Sequence, residues 1–235
     1  MPESQTVVAA LKFQGGVIIA ADSQVSDFSV GVRWPMEKLE QIGKHPLVVA
    51  FSGSHGRGER ARVCLQEADF RPTSFDRCER IKAMIDAKLR PIYQEIQENS
   101  KPPREDIHEI ALTALAAFWA EGKAHVLERE MNGDTDFHQS FHAIGSGGLT
   151  AYAVYKTLGG PKLTTLDERK ALLALLRITR TAIYVDVAGV CEPVSVFVIK
   201  AGRVRRLSEP EVDANMELVS RWCEKEQERF LNDEV

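Results

Sequence analysis

Three kinds of side chain in this sequence could do chemistry. The first kind falls at the ends of short apolar runs: a hydroxyl at Thr6, carboxylates at Asp22 and Asp186, an ammonium at Lys38 and a second hydroxyl at Ser146. A threonine hydroxyl is a poor nucleophile until an adjacent base takes its proton, and local pattern alone leaves open whether any of these groups meet. Taken singly, each residue has a plainer reading. A threonine opening a strand is a β-former, an aspartate after one is a turn residue, and a strand lysine reaches for water. The run Gly145-Ser146-Gly147-Gly148 is by itself a loop or the start of a helix.

The second kind is histidine. Six are present, and His138 and His142 stand four apart. On a helix that spacing would converge on one metal ion, but the stretch around them reads as a strand, where it does not, and no metal site is expected. The third kind is cysteine: Cys64, Cys78, Cys191 and Cys223 are scattered with no CxxC pair, which argues against a zinc ribbon or a disulfide scaffold and for free thiols.

The elements that must position these groups follow from apolar periodicity. Thr6 to Phe13 and Val17 to Ala21 flank Gln14-Gly15-Gly16 and predict a β-hairpin. Lys38 to Ile42 and Leu47 to Phe51 flank Gly43-Lys44-His45-Pro46 and predict another. Two helices are expected over 58–69 and 76–98. In the second, Ile81, Met84, Ile85, Leu89, Ile92 and Ile96 form one face, with Pro91 as the site of a kink.

Beyond a loop at 100–104, three strands are expected over 110–120, 124–130 and 137–143, the first Ala-rich and ambiguous with helix. Two helices should follow, one from the glycine run to Leu158 and one over 166–183 with Thr165 as N-cap and Glu168 three residues on. A last hairpin over 194–199 and 204–207 leads through Ser208-Glu209-Pro210 into a charged C-terminal helix, with Trp222 and Phe230 expected to dock it. Strand runs alternating with helix pairs argue for antiparallel sheets covered by helix layers, an α+β fold, and against a parallel βαβ sheet.

Composition excludes several classes of function. The chain has 235 residues, 44% hydrophobic and 27% charged, enough to bury a core as a single domain. A net charge of −4 and a pI near 5.9 give no reason to expect nucleic acid or anionic lipid as partners. The start has no signal-peptide pattern and no apolar run is long enough to span a bilayer, so a cytoplasmic protein is expected.

The string from Thr6 through Gly15-Gly16 to Asp22, then Lys38, Ser52-Gly53, Ile144-Gly145-Ser146-Gly147-Gly148 and Asp186, resembles the proteasome β-subunit and HslV family. The likeness covers most of residues 6 to 207. Asp22-Ser23-Gln24 and the 144–148 stretch are most similar to the bacterial HslV branch, and the related bacterial proteasome homologue BPH is the favoured relative. Gln5 stands where many active members carry glycine.

The resemblance implies a four-layer αββα sandwich of the N-terminal nucleophile hydrolase type. It divides the chain into a leader (1–5) removed by processing, a proteasome-like domain (6–207) and a C-terminal helical extension (208–235). It implies a threonine endopeptidase with Thr6 as nucleophile, whose own α-amine, freed by cleavage of the Gln5–Thr6 bond, is the base. Lys38 would favour the alkoxide, Asp22 would hold Lys38, and the Gly53 N–H would take the oxyanion. Ser146 and Asp186 would orient the amine and relay its proton. Matching position by position, Val25, Met36, Glu40, Phe51 and His55 would line substrate pockets, and Ser26 would offer backbone hydrogen bonds to an extended peptide.

No cofactor is implied. The partners implied are polypeptide substrates and further copies of this chain in a stacked double ring; whether an AAA+ unfoldase feeds the chamber is left open. The alternative is a non-catalytic ring or scaffold subunit that keeps its leader. Five residues before Thr6 are too few for the N-terminal helix of α-type subunits, which favours the β-type. A small-amide hydrolase of the same nucleophile class would lack this Asp-Lys-Gly spacing.

Overall fold

A computed structural model describes residues 6–27, 32–99, 111–130, 132–185 and 194–232. The opening apolar runs form β1 (Val8–Phe13) and β2 (Gly16–Asp22), joined at Gly15, which takes the left-handed φ of +94° that its turn requires. Every residue of β2 is buried, so its sequence is a continuous apolar run and not an alternation. With β10 (Phe141–Ile144), β11 (Val194–Lys200) and β12 (Arg203–Arg206), these strands make an antiparallel sheet in the order β10-β1-β2-β11-β12.

A second antiparallel sheet runs β5 (Leu39–Gln41), β6 (Leu47–Gly53), β7 (Leu112–Ala120), β8 (Lys123–Arg129), β9 (Thr135–His138). The Ala-rich segment is therefore a strand: β6 and β8 pair along both its edges, and small side chains suit a strand buried on both faces. A two-stranded ribbon pairs β3 (Gln24–Asp27) with β4 (Val32–Pro35).

The helices lie outside. α1 (His55–Gln66) and α2 (Cys78–Asn99) cover the second sheet; α3 (Gly148–Thr157), α4 (Glu168–Val185) and α5 (Glu209–Leu231) cover the first. The period of two along each strand sorts the core into three layers. Val8, Ala10, Ile19, Leu39, Ala50 and Leu115 meet between the sheets. Ala9, Ile18 and Val196 face Tyr155, Leu175 and Val219, while Val49 and Ala116 face Leu65, Ile85 and Leu89. This is an αββα sandwich, the architecture the sequence led us to expect. Truncating a fully buried side chain of the middle layer, such as Ile19, to alanine would cost about 2–5 kcal/mol.

Two expectations need correction. The stretch 137–143 is not one strand: bends at Gln139 and Ser140 split it, so that β9 edges one sheet and β10 the other. Phe137 accordingly packs with the α1–α2 layer and Phe141 with the α3–α5 layer. The N-cap of α4 is Asp167, whose Oδ1 accepts from Lys170 N at 2.9 Å, whereas Thr165 ends a 3₁₀ turn and bonds back to Lys162 O. Pro91 lies inside α2 without ending it; its exposure lets water serve the carbonyl that its ring leaves unbonded. The loop at 100–104 and Cys191 lie outside the described residues, as does the side chain of Phe230. Among the described residues, no helix is long and apolar enough to cross a membrane.

Candidate active site

Strand register brings Thr6, Asp22 and Ser146 of the first group together. β1 and β2 pair Val8 with Ala21, which sets Val7 against Asp22, and the two exchange bonds: Val7 N donates to Asp22 Oδ1 at 3.0 Å and Asp22 N to Val7 O at 3.2 Å. The same register leaves Thr6, two residues before β1, beside the Asp22 carboxylate. β10 flanks β1 on the other side, with Ile144 opposite Val8, and so delivers the loop Gly145-Ser146-Gly147 against Thr6.

The glycines of that loop allow the approach. Gly145 has φ +90°, and a Cβ there would lie 2.1 Å from the carbonyl oxygen of Thr6; a Cβ on Gly147 would lie 2.9 Å from the Val7 side chain at its own Cβ. With both side chains absent, Gly147 N donates to Thr6 O at 3.2 Å and Thr6 N donates to Ser146 Oγ at 3.2 Å. Sequence reading singled out Ser146 but gave its glycine neighbours no part. The available signal was the density of glycine around a lone serine.

Lys38 enters from the second sheet, one residue before β5. Its Nζ donates to Thr6 Oγ1 at 2.9 Å and to Asp22 Oδ1 and Oδ2 at 2.8 Å each. Asp22 is wholly buried, Thr6 is 5% exposed and Lys38 9%, so the ion pair is shielded from water. A pair so placed holds through short, charge-assisted bonds, and losing either member would leave a buried charge unmatched at a cost of about 3–5 kcal/mol. A cation bonded to a hydroxyl oxygen stabilises negative charge there, so this geometry can favour the Thr6 alkoxide.

Gly53 ends β6, the neighbour of β5, with φ +110°, and a Cβ added there would lie 2.3 Å from Ala111 O. Only glycine fits that position. Asp186 lies outside the described residues.

The expected pocket residues spread more widely. Val25 and Ser26 lie on β3, opposite Trp34 and Arg33 of β4. Met36 is half-buried and its N donates to Ser23 O at 2.7 Å. Phe51 packs against the α1–α2 core, and His55 is exposed as the first residue of α1. Glu40 is bound by the helix layer: Arg62 Nη1 donates to both its oxygens at 3.1 Å and Gln66 Nε2 to Oε1 at 2.6 Å.

Histidine behaves differently from expectation. Because β9 and β10 are separate strands, His138 and His142 do converge: their rings stack with centroids 3.6 Å apart, and both reach Glu128 Oε2, at 3.1 and 2.7 Å.

Comparisons with known proteins bear on the family and the fold. The model of the proteasome subunit family matches residues 3–187. Two proteins named ATP-dependent protease subunit HslV, from Rickettsia typhi and Rickettsia prowazekii, are each 27% identical over 171 residues, 72% of this chain and 84% of theirs. A solved structure described as Anbu (ancestral beta-subunit) from Yersinia bercovieri superposes with a TM-score of 0.74 over 96% of both chains at 14% identity, a likeness of fold. A family match over most of the length, on a sandwich whose first strand is preceded by a threonine bonded to the lysine of a lysine–aspartate pair, leaves one assignment: the chain belongs to the proteasome subunit family.

Proposed function

We propose that this protein is a threonine endopeptidase subunit in which Thr6, once freed at its amino side, is the nucleophile. One observation carries the reading: the buried Lys38 ammonium sits 2.9 Å from Thr6 Oγ1 with Asp22 bonded behind it. In the uncleaved chain the Thr6 nitrogen is an amide and can only donate, as it does to Ser146 Oγ. After cleavage of the Gln5–Thr6 bond the same nitrogen is an amine with a lone pair. It takes the Oγ1 proton, Oγ1 adds to the peptide carbonyl, and the Gly53 N–H binds the resulting oxyanion. The ammonium so formed returns its proton to the departing amine, and water then hydrolyses the Thr6 ester by the same route. Ser146 orients the amine, and Asp186 is assigned with it to the proton relay. Val25, Ser26, Met36, Phe51 and His55 stay assigned to the substrate cleft; Glu40 is assigned there through the Arg62 network it shares.

Because the Rickettsia relatives are named as subunits of ATP-dependent proteases, the reading includes further copies of this chain around a shared chamber and an ATP-driven partner that supplies polypeptide. Intact mass of the purified protein tests the proposal. Loss of residues 1–5, a mass increase on treatment with a peptide epoxyketone, and no such increase in Thr6→Ala are expected. A full-length chain inert to the probe would instead identify a non-catalytic ring subunit.

A further inference from the structure

We propose that Glu128, His138 and His142 form a binding site for one divalent first-row transition ion, best matched by zinc, that clasps the two sheets at their shared edge. The three residues come from three strands, β8, β9 and β10, and the last belongs to the opposite sheet from the other two. Along β8, Leu127 packs towards α1 and α2, so the alternation sends Glu128 into the space between the sheets; Phe137 does the same for His138. On β10, Phe141 and Ala143 pack towards the outer helices, which turns His142 inward to meet them. The bends at Gln139 and Ser140 close this triangle.

Donor chemistry and geometry both fit such an ion. Two imidazole nitrogens and one carboxylate oxygen are the ligand set zinc takes when a fourth position is left for water. One donor atom from each residue can be chosen so that all lie within 4.8 Å of one another. His138 Nε2 and His142 Nε2 stand 3.1 and 2.7 Å from the same Glu128 oxygen. Bonds of about 2.0–2.1 Å in a tetrahedral site place donor atoms roughly 3.3 Å apart, so the spacing to Glu128 needs adjustment by only a few tenths of an ångström, while the two stacked rings must rotate out of their near-parallel arrangement for both lone pairs to meet one ion.

His142 Nε2 is fully buried and, despite its closeness to Glu128, makes no aligned hydrogen bond. A buried ring nitrogen in that condition is costly unless something else takes its lone pair. Its other nitrogen, Nδ1, is 2.6 Å from the hydroxyl of Tyr152 on α3, the kind of outer partner that metal-bound histidines commonly have; with Nδ1–H donating to that oxygen, Nε2 is left free to ligate. The site is screened but reachable: the Glu128 and His142 side chains are 12% and 11% exposed, and His138, at 22%, gives an ion its way in.

The site stands apart from the Thr6 chemistry and would act as a staple between layers. Equilibrium dialysis of the chelator-stripped full-length protein against zinc chloride, followed by elemental analysis, tests it. One zinc per chain and a rise in melting temperature of several degrees are expected. His138→Ala and Glu128→Gln should each weaken retention at least about 100-fold, and Tyr152→Phe about 10-fold. Cupric ion in the unmutated protein should show two imidazole nitrogens by pulsed electron paramagnetic resonance, a readout that needs no variant to fold. Failure to retain zinc, undiminished retention in both ligand variants, or loss of retention only in Cys78→Ser, which would move the ion to Cys78, Glu121 and His125, would each overturn the proposal.

Discussion

Lys38 Nζ lies 2.9 Å from Thr6 Oγ1, although the two residues belong to different sheets. The lysine crosses the gap at the end of the sandwich and is held there by both oxygens of Asp22. Such a contact has two separable consequences, one for stability and one for chemistry, because the charge is balanced by Asp22 while the hydroxyl is influenced by Lys38.

Lys38→Met keeps the stem and removes the charge. It leaves Asp22 buried beside no cation, and a loss of about 3–5 kcal/mol in urea unfolding is expected. Adding Asp22→Asn should recover most of that stability, since the uncompensated charge is gone, while peptide hydrolysis and labelling of Thr6 stay absent. A double variant that regained activity together with stability would show that Lys38 serves the fold alone.

A free α-amine as base fixes the pH response of the proposed enzyme. The amine works only unprotonated, and its ordinary pKa is about 7.7–8.0. A neighbouring ammonium favours the neutral amine, so kcat/KM should rise with pH along a single limb whose midpoint lies below that value. Lys38→Met is too damaged to test the cause, but salt does not screen a buried pair well, so the midpoint should hardly move with ionic strength. A limb that falls as pH rises through neutrality would rule out the amine.

The serine loop makes a sharper test of geometry. Gly145→Ala would put a methyl 2.1 Å from Thr6 O at a backbone angle that L residues avoid. Strain of about 1–3 kcal/mol, added to the displacement of Thr6, should abolish labelling while far-ultraviolet circular dichroism stays native. Gly56→Ala is the control: nothing lies within 4 Å of the added methyl, and α1 should gain about 0.5–1 kcal/mol. Normal labelling of Gly145→Ala would mean that the close contact has no part in placing Thr6.

Local pattern was sufficient for most of the sandwich. Continuous apolar runs such as Val17 to Ala21 announce strands buried on both faces, and the spacing of Ile81, Ile85 and Leu89 announces one buried helix face. It failed where long-range structure decides. The split at Gln139 and Ser140 depends on which helix layer each flanking phenylalanine joins, and no window of seven residues holds that information. Missing the split concealed the convergence of His138 and His142, and nothing in the sequence marked Glu128 as their partner.

The Thr6 cluster shows the converse. Thr6, Asp22 and Lys38 looked ordinary one by one, and only the family resemblance named them as a set. Their meeting is physically a matter of register, Val8 against Ala21 and Ile144, which appears in no local property of the residues.

The C-terminal helix offers a last prediction, about how it is held. Arg177 of α4 lies over the Trp222 ring, 4.3 Å from its centroid, and its two terminal nitrogens donate to the two oxygens of Glu226 at 2.8 and 2.5 Å. Hydrogen bonding to Arg177 holds the Glu226 carboxyl below its ordinary value. A carboxyl with a depressed folded-state pKa stabilises above its unfolded value, and that contribution is lost as pH falls through the folded one. The Glu226 side chain is 45% exposed, so solvent screening keeps the effect on global stability under about 1 kcal/mol. Docking of α5 should report it more clearly: amide hydrogen exchange near Trp222 should accelerate on acidification, relative to Val219, which is fully buried in the core. Glu226→Gln should show the faster exchange already at neutral pH and lose the acid response, whereas Trp222→Ala should loosen the helix at every pH. Identical acid responses in the unmutated protein and in Glu226→Gln would mean that packing around Val219 alone, and not the Arg177 clamp, keeps the helix in place.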